Sequence, residues 1–345
     1  MKLLIVGGAG DVGTHLIEDY SRQGHDMRIL DLAPASAAMQ ANPRVTYIQG
    51  DLADKTTVQK VVEGIDLIIH LAWSFKEDPH TIFGTDILGT AHLLDAAVSA
   101  GVRSFIYAST AVVYGRAIDH PVTEEHPCLI EQARKPFYAL GKYSAEKLCL
   151  LYYREKGLPA SVLRFWWAYG KSIGGKHLRD LIRTAMEGRP ISMVSGAGGA
   201  FVTMNDLVRT FSLIMEAPAA AGQTFNTGSM FLTWEEIGAM IIEITSSPST
   251  IQLVKPEQWQ GPAFLNEAWD LSWDKAAAIL GFRPQYVDTE ARDRFREAIR
   301  NCAAQIKAKG GIHLAPPMSL CSGEQDGEQE EKASGGGSRL ATNVG

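Results

Sequence analysis

A short apolar segment that runs directly into a glycine-rich turn constrains this chain more than any other feature. Residues 2–6 (KLLIV) are continuously apolar, as in a strand buried on both faces of a sheet. Residues 7–13 (GGAGDVG) then supply Gly7, Gly10 and Gly13. Such a turn lets the backbone approach a phosphate, and the N–H groups of the following helix favour an anion. The segment therefore predicts a nucleotide site rather than a plain strand-to-helix turn.

Acidic residues follow the second and third predicted strands, where the ribose and base of a nucleotide would lie. Asp31 ends the strand at 26–31, and Asp51 follows the strand at 44–49. A carboxylate at the first position accepts hydrogen bonds from a free ribose and repels a 2′-phosphate, so the sequence favours NAD over NADP. Asp51 has two equally good interpretations: it contacts an adenine edge, or it caps a turn.

Strand and helix patterns alternate in the first half of the chain. Strands are predicted at 2–6, 26–31, 44–49, 65–71, 102–109 and 160–166, and helices at 12–23, 55–63, 83–100 and 138–156. This alternation predicts an α/β protein with a doubly wound parallel sheet, which is a Rossmann fold.

The pattern changes after Gly170, and the chain divides into three predicted regions. Residues 1–168 are expected to form an NAD-binding domain that includes the helix at 138–156, which carries the catalytic pair described below. Residues 169–309 are expected to form a smaller, interleaved substrate-binding lobe, with helices at 177–187, 205–216, 233–246, 273–280 and 289–308. Residues 310–345 are rich in Gly, Ser, Glu and Gln, so we expect a disordered acidic tail without a catalytic role.

Composition argues against several classes of protein. The net charge of −6 over 345 residues gives no support for a nucleic-acid partner. No apolar stretch is long enough to cross a bilayer, and the chain starts in a predicted core strand rather than a signal peptide. Four cysteines without metal-site spacing fit a reducing compartment, so we expect a cytoplasmic protein without a metal.

Tyr138 and Lys142 are the predicted catalytic pair. They are four residues apart on a predicted helix, so their side chains lie on one face. A nearby ammonium is expected to lower the tyrosine pKa toward the working pH, as an acid/base requires. Thr110, after the strand at 102–109, is expected to hydrogen-bond the reacting substrate oxygen, with Ser109 as the second candidate.

Tyr143 and Lys147 repeat the same spacing and form a competing pair. Five residues along a helix turn this pair about 140° away from the first, so both cannot face one cofactor. We favour Tyr138 because Glu146 then follows Lys142 by four residues, the spacing of a helix ion pair.

Together these motifs resemble the extended short-chain dehydrogenase/reductases, the NAD-dependent epimerase/dehydratase family. The resemblance covers roughly residues 1–300 and rests on residues 7–13, Asp31, 50–52 (GDL), 70–72 (HLA), 109–115 (STAVVYG), Tyr138, Lys142, 201–206 (FVTMND), 225–228 (FNTG) and 280–284 (LGFRP).

The resemblance implies a role for each residue. Tyr138 would be the acid/base, Lys142 would hold the nicotinamide ribose and tune Tyr138, and Thr110 would orient the substrate oxygen. The implied cofactor residues are Gly7, Gly10, Asp11, Val12, Gly13, Asp31, Asp51, Leu52, Leu71, Ala72, Trp73, Tyr138 and Lys142. A homodimer through helices 83–100 and 138–156 is also implied, and the alternative is that the second lobe covers those faces.

Three departures bear on the substrate. Nucleotide-sugar enzymes of this family usually carry an Asn where Trp167 follows Arg164, and an Arg before the strand where 198–200 (GGA) has no cation. The related dehydratases place Asp-Glu where Ala111 and Val112 stand. An indole cannot replace an amide at a diphosphate, and each lost charge-assisted bond costs about 1.5–3 kcal/mol.

We therefore expect a smaller or more apolar hydroxy or keto substrate. The predicted substrate residues are Trp73, Ser109, Thr110, Trp166 and Trp167, with Phe75 nearby. Two alternatives stay open: these aromatic side chains only pack between the lobes, or Lys171, Lys176, His177 or Arg179 binds an anionic substrate.

Three functions follow from these observations. The leading hypothesis is an NAD-dependent oxidoreductase that acts on a secondary alcohol or ketone of a sugar-like or other small compound. The second is a 4-epimerase of a sugar or nucleotide sugar that holds NAD tightly and recycles it. The third is a regulatory protein that binds NAD without turnover, which the joint presence of Thr110, Tyr138 and Lys142 disfavours.

Overall fold

A parallel sheet of seven strands lies at the centre of the structure, a computed structural model that describes residues 1–260 and 266–309. Its strands are β1 (Lys2–Val6), β2 (Asp26–Asp31), β3 (Val45–Gln49), β4 (Leu67–His70), β5 (Ser104–Ala108), β6 (Ala160–Arg164) and β10 (Thr224–Asn226). They lie in the order β10-β6-β5-β4-β1-β2-β3, and every neighbouring pair is parallel. The predicted Rossmann fold is confirmed.

Helices cover both faces of this sheet because the strands are apolar on both sides. Leu3 to Val6 of β1 are at most 1% exposed. On one face, α3, α5 and α6 pack on the sheet, and α1 packs on the other. These helices are α1 (Asp11–Arg22), α3 (Lys55–Val62), α5 (Leu88–Ala100) and α6 (Pro136–Lys156), and the short α2 (Ala37–Ala41) precedes β3.

The connection between β4 and α5 departs from a plain helix. The sequence predicts one helix over 83–100, whereas the structure has the short α4 (Pro79–Thr81), a π-helical segment (Ile82–Ile87) and then α5. π-Helical turns within a helix frequently occur at functional sites. Here the segment lies against the first turns of α6 and brings Asp86 to the carboxyl end of the sheet.

The second lobe contains two small sheets and three helices. Its strands are β7 (Trp167–Tyr169), β8 (Ile191–Val194), β9 (Gly198–Thr203), β11 (Met230–Thr233), β12 (Ile251–Val254) and β13 (Ala268–Trp269), and its helices are α7 (Lys176–Met186), α9 (Trp234–Thr245) and α11 (Asp288–Ala308). β9 pairs with β7, β11 and β13, and β8 pairs with β12. Ile182, Phe201, Trp234 and Phe295 are buried in its core.

The chain passes repeatedly between the two lobes. After β9, α8 (Met204–Glu216) packs on the central sheet and β10 completes that sheet. Later α10 (Asp274–Leu280) returns to the same face. The sequence does not predict β10, because three residues are too few to show a period.

Two kinds of feature are absent from the described residues. Among residues 1–260 and 266–309, no helix is long and apolar enough to cross a membrane. Within the same residues, no group of three or more His, Cys, Asp or Glu side chains is placed to hold a metal ion. The region predicted as a disordered tail, 310–345, lies outside the described residues.

Candidate active site

One cavity of about 680 Å³ opens at the carboxyl ends of the central strands and brings most of the predicted site residues together. The predicted cofactor and catalytic residues along it are Gly7, Gly10, Asp11, Val12, Gly13, Asp31, Asp51, Leu52, Leu71, Ala72, Trp73, Thr110, Tyr138 and Lys142. Ser109 and Trp166, predicted to contact the substrate, line the same cavity. Ligands of open α/β sheets bind at this edge, where the strand order reverses between β1 and β4.

The glycine turn is packed so closely that two of its positions have no room for a side chain. Gly7 has a φ of +83°, and a Cβ there would lie 2.5 Å from the backbone nitrogen of Ala72 at the end of β4. A Cβ on Gly13 would lie 2.5 Å from the Cα of Gly8. The turn therefore holds the start of α1 against the sheet and leaves the backbone free to approach a phosphate.

Asp31 and Asp51 are both tied to backbone amides at the cavity. The Asp31 carboxylate accepts hydrogen bonds from Ala9 N–H and Ala33 N–H, each at 2.9 Å. This fixes Asp31 beside the glycine turn, where a ribose hydroxyl can reach it. Asp51 accepts a hydrogen bond from Ala53 N–H at 2.8 Å and also lines the cavity, so turn capping and cofactor contact are compatible.

Lys142 is buried, and among residues 1–260 and 266–309 no carboxylate is in hydrogen-bond contact with it. Its ammonium donates to the Ala108 carbonyl at 2.9 Å. The Nζ atom also lies 4.4 Å from the centre of the Trp73 ring and 4.9 Å from that of Tyr107. Burial lowers the pKa of Lys142 to about 7, against an opposing effect of the Asp86 carboxylate. A lysine that titrates near neutral pH is a common feature of catalytic sites.

Tyr138 does not have the lowered pKa that the sequence predicts. Burial raises the pKa of Tyr138 to about 12, and a hydrogen bond with Thr110 and the charge of Arg134 only partly offset this effect. The Lys142 ammonium points to the Ala108 carbonyl rather than to the phenol. At neutral pH Tyr138 therefore holds its proton.

The competing tyrosine–lysine pair lies elsewhere on α6. Lys147 places its ammonium 4.6 Å from the ring centre of Tyr143, and neither residue lines the cavity. The structure thus favours the Tyr138 and Lys142 register for the site.

The predicted ion pair between Lys142 and Glu146, which favoured this register in the sequence, is wrong. The Glu146 carboxylate accepts hydrogen bonds from Arg164 at 2.9 Å and 2.6 Å, and both side chains are almost fully buried.

The connection after β4 supplies Ser74, Glu77 and Asp86, which the sequence does not predict for the site, and Phe75, which it places near the substrate. Ser74 hydrogen-bonds the buried Asp86 carboxylate, and the carboxylate of Glu77 accepts from the Phe137 and Tyr138 amides at the start of α6. Phe75, with a φ of +58°, stacks on Tyr138 with ring centres 5.9 Å apart.

Of these groups, Asp86 has a signal in the sequence. It stands four residues from Ile82 and from Thr90, and all three side chains are buried. An acid on the buried stripe of a predicted helix indicates a partner or a function.

Trp166 reaches the cavity, whereas the structure places Trp167 away from it. Trp167 packs in the second lobe with Trp166, Phe201 and Trp234. This is the packing role that the sequence left open as an alternative. Within the described residues, none of the four candidate anion ligands of the second lobe lines the cavity: Lys171, Lys176, His177 and Arg179.

Comparisons with known proteins found similarity over most of the chain. Residues 3–228 match the NAD dependent epimerase/dehydratase family. A dTDP-glucose 4,6-dehydratase of Streptomyces antibioticus is 34% identical over 186 residues, which are 49% of this chain and 54% of that protein. A UDP-glucose 4-epimerase of Lactobacillus helveticus is 24% identical over 84% of this chain and 94% of its own length.

The solved structures include close matches in fold. The structure of a UDP-glucuronic acid 4-epimerase from Bacillus cereus in complex with NAD aligns with a TM-score of 0.71 and 23% identity. The alignment covers 89% of this chain and 99% of that chain.

Proposed function

The chain belongs to the NAD-dependent epimerase/dehydratase family, and we propose that it is an NAD-dependent oxidoreductase acting on a secondary alcohol or ketone of a sugar-like or other small compound. The observation that carries the proposal is that Thr110, Tyr138 and Lys142 line one cavity together with the glycine turn. Gly7 and Gly13 have no room for a side chain, and Asp31 lies beside the glycine turn. Both features fit an NAD dinucleotide.

Bound NAD would supply the group that accepts or gives a hydride, and the protein would supply position and proton transfer. In the reducing direction, the Tyr138 hydroxyl donates its proton to the substrate oxygen, which suits its raised pKa. In the oxidising direction Tyr138 must first lose that proton, so oxidation accelerates as the pH rises. Thr110 orients the substrate oxygen, and the Lys142 ammonium holds the nicotinamide ribose.

The charges at the substrate end of the cavity favour a substrate without a diphosphate. Asp11, Asp31 and Asp51 are assigned to the cofactor, whose own phosphates the backbone of the glycine turn would bind. At the end that holds Thr110 and Tyr138, Lys142 is the sole cation among the described lining residues, and Asp86 adds a carboxylate. Arg134, whose charge acts on Tyr138, is paired with Glu267 at 3.8 Å. A diphosphate needs several donors or cations for tight binding.

A nucleotide-sugar 4-epimerase is the second candidate. It is supported by the similarity to the Lactobacillus helveticus UDP-glucose 4-epimerase over nearly that protein's whole length. A dehydratase is less well supported, although more than one relative carries that name, because Ala111 and Val112 provide no acid or base for water elimination.

Analysis of nucleotide released from freshly purified, denatured protein distinguishes the two candidates. Stoichiometric NAD, with no net NADH formed on added UDP-sugars, would support the epimerase. Protein that is free of nucleotide but binds NADH reversibly would support the oxidoreductase, and ketones and alcohols can then be screened by nicotinamide absorbance. Tyr138→Phe is the control: if it left turnover intact, the catalytic role of Tyr138 would be wrong. If the wild type bound NAD but turned over no substrate, a binding protein without turnover would remain.

We further propose that the cofactor is NAD rather than NADP, because Asp31 would repel a 2′-phosphate. In Asp31→Asn, the affinity for NADPH relative to NADH should rise at least about tenfold, since a like-charge contact is removed. Fluorescence titrations of both cofactors measure the ratio. An unchanged ratio would show that another group selects the cofactor.

We also propose a cytoplasmic homodimer that forms through α5 and α6. Leu88 of α5 and Leu151 and Tyr153 of α6 are between 41% and 48% exposed, and exposed large apolar side chains favour association. Sedimentation equilibrium of the full chain at micromolar concentration tests the dimer, and a monomer there would remove this part of the proposal.

A further inference from the structure

Asp86 is a buried carboxylate in the wall of the cavity that has no part in the mechanism above. Its residue is 6% exposed, and it lies in the π-helical segment before α5. Buried carboxylates are rare unless their charge interacts with a partner. The surroundings of Asp86 therefore indicate what its charge does.

Two hydrogen bonds join Asp86 to the loop that carries Trp73. The Ser74 amide donates to one carboxylate oxygen at 3.1 Å, and the Ser74 hydroxyl donates to the other at 2.6 Å. The adjacent Trp73 then lies over Gly141 of α6, where a Cβ would come within 2.8 Å of the indole. Asp86 thus fixes the backbone next to an indole that is packed on the catalytic helix.

That indole also contacts the catalytic lysine. The Nζ atom of Lys142 lies 4.4 Å from the Trp73 ring centre, within the range of a cation–π interaction. Asp86, Ser74, Trp73 and Lys142 therefore form a continuous series of contacts along one wall of the cavity.

The charge of Asp86 also acts on Lys142 directly. Burial lowers the pKa of the Lys142 ammonium, while the Asp86 and Glu146 carboxylates and the Cys149 thiol act to raise it. Glu146 is committed to Arg164. The buried neighbours His70, Tyr107 and Tyr138 have pKa values shifted toward their neutral forms. Burial raises the pKa of Asp86 as well, while the hydrogen bonds from Ser74 and the charges of Lys142 and Lys76 act to lower it and favour the carboxylate.

We propose that Asp86 is a positioning residue: its carboxylate keeps Lys142 protonated and, through Ser74, holds the Trp73 indole against the lysine. This inference rests on the proposed use of NAD, because the charged Lys142 is assigned to the nicotinamide ribose. The consequence is that Asp86 sets the pH range over which the cofactor binds well.

The test is the dissociation constant of NADH, measured by fluorescence with the full chain from about pH 5.5 to about pH 9. In the wild type, binding should weaken as the pH rises through the Lys142 pKa of about 7. In Asp86→Asn, which keeps the shape of the side chain and removes its charge, the midpoint should move lower by about one pH unit. Lys142→Met should abolish the pH step and so identify the titrating group.

Asp95→Asn is the matched control. Asp95 lies on α5, where it accepts a hydrogen bond from the Tyr152 hydroxyl at 2.7 Å, and its loss changes the net charge equally. Its midpoint should equal that of the wild type. If Asp86→Asn fails to fold by circular dichroism, Asp86→Ser is the second neutral variant, with the same expected shift.

The outcomes separate this inference from the proposed function. A folded neutral variant at Asp86 whose midpoint matches the wild type would overturn the inference while the use of NAD stands. A wild-type protein that holds no nucleotide on purification and binds no NADH at any pH would instead overturn the use of NAD, and this inference with it.

Discussion

Helix α6 carries one buried cation, Lys142, and contacts a second, Arg164 of β6. The surroundings of the two cations shift their pKa values in opposite directions. In the Arg164 region (Arg164, Glu146 and Tyr114), the guanidinium donates two hydrogen bonds to Glu146 and lies 4.7 Å from the Tyr114 ring centre. Burial acts to lower the pKa of Arg164, but the Glu146 carboxylate more than offsets it and keeps the pKa raised.

In the Lys142 region (Lys142, Tyr138, Trp73 and Asp86), the ammonium has a carbonyl and two aromatic faces as its contacts, and its pKa falls to about 7. This difference distinguishes a buried charge with a structural role from one that can act on a ligand. A buried charge that is neutralised in contact stabilises one arrangement, whereas one left without a contacting carboxylate beside an open cavity is available to a ligand.

Lys142→Met should produce the largest effect, which is a loss of catalysis without a loss of stability. Turnover should fall about 10²–10⁴-fold, as for loss of a group that supports acid/base transfer. The free energy of unfolding should stay the same or rise, because a buried charge with incomplete compensation is removed. Steady-state kinetics and urea unfolding measure the two quantities. Lys147→Met, on the same helix, is the control and should leave both unchanged.

Glu146→Gln should instead lower the free energy of unfolding. It leaves Arg164 buried without a charged partner, which costs about 3–5 kcal/mol of the free energy of unfolding. Urea unfolding measures this loss. Glu155→Gln breaks the exposed pair with Arg154 and should cost less than about 1 kcal/mol. Equal losses in the two variants would contradict the contrast between the regions.

The pH dependence of stability should show the smallest effect, and it belongs to Lys142. Its pKa is about 7 in the folded state against a usual 10.5, so the unfolded chain binds the extra proton between those values. The free energy of unfolding should therefore rise with pH across that interval. The rise should be smaller in Lys142→Met. Urea unfolding of both proteins at several pH values from about 7 to about 9 tests this, and parallel curves would mean that Lys142 keeps an ordinary pKa.

Sequence patterns predicted the nucleotide-binding half of the molecule well, for physical reasons. Strand β1 and the glycine turn are read from local composition, since burial on both faces needs an apolar run and a tight turn needs glycine. The observed β1, β2 and α1 lie within one residue of the ranges expected from the sequence.

The part of the site around Tyr138 and Lys142 was predicted less completely, because pKa values and ion pairs there depend on groups distant in sequence. The spacing of Tyr138 and Lys142 was sufficient to bring both to the cavity, but the pKa of Tyr138 depends on burial by Phe75 and Trp73. Similarly, the i,i+4 spacing suggested Lys142 as the partner of Glu146, while the fold brings Arg164 from β6 into contact instead.

The late position of β10 in the chain has a consequence for protein synthesis. Before residues 224–226 emerge from the ribosome, β6 is an edge strand with unpaired N–H and C=O groups. Asn226 of β10 then accepts a hydrogen bond from the Tyr114 hydroxyl and donates to the Val122 carbonyl and the Glu124 carboxylate. The nascent catalytic half is therefore open to strand-to-strand aggregation until the later segment arrives. A fragment that ends at residue 168 should need a chaperone, or a peptide spanning β10, to remain in solution.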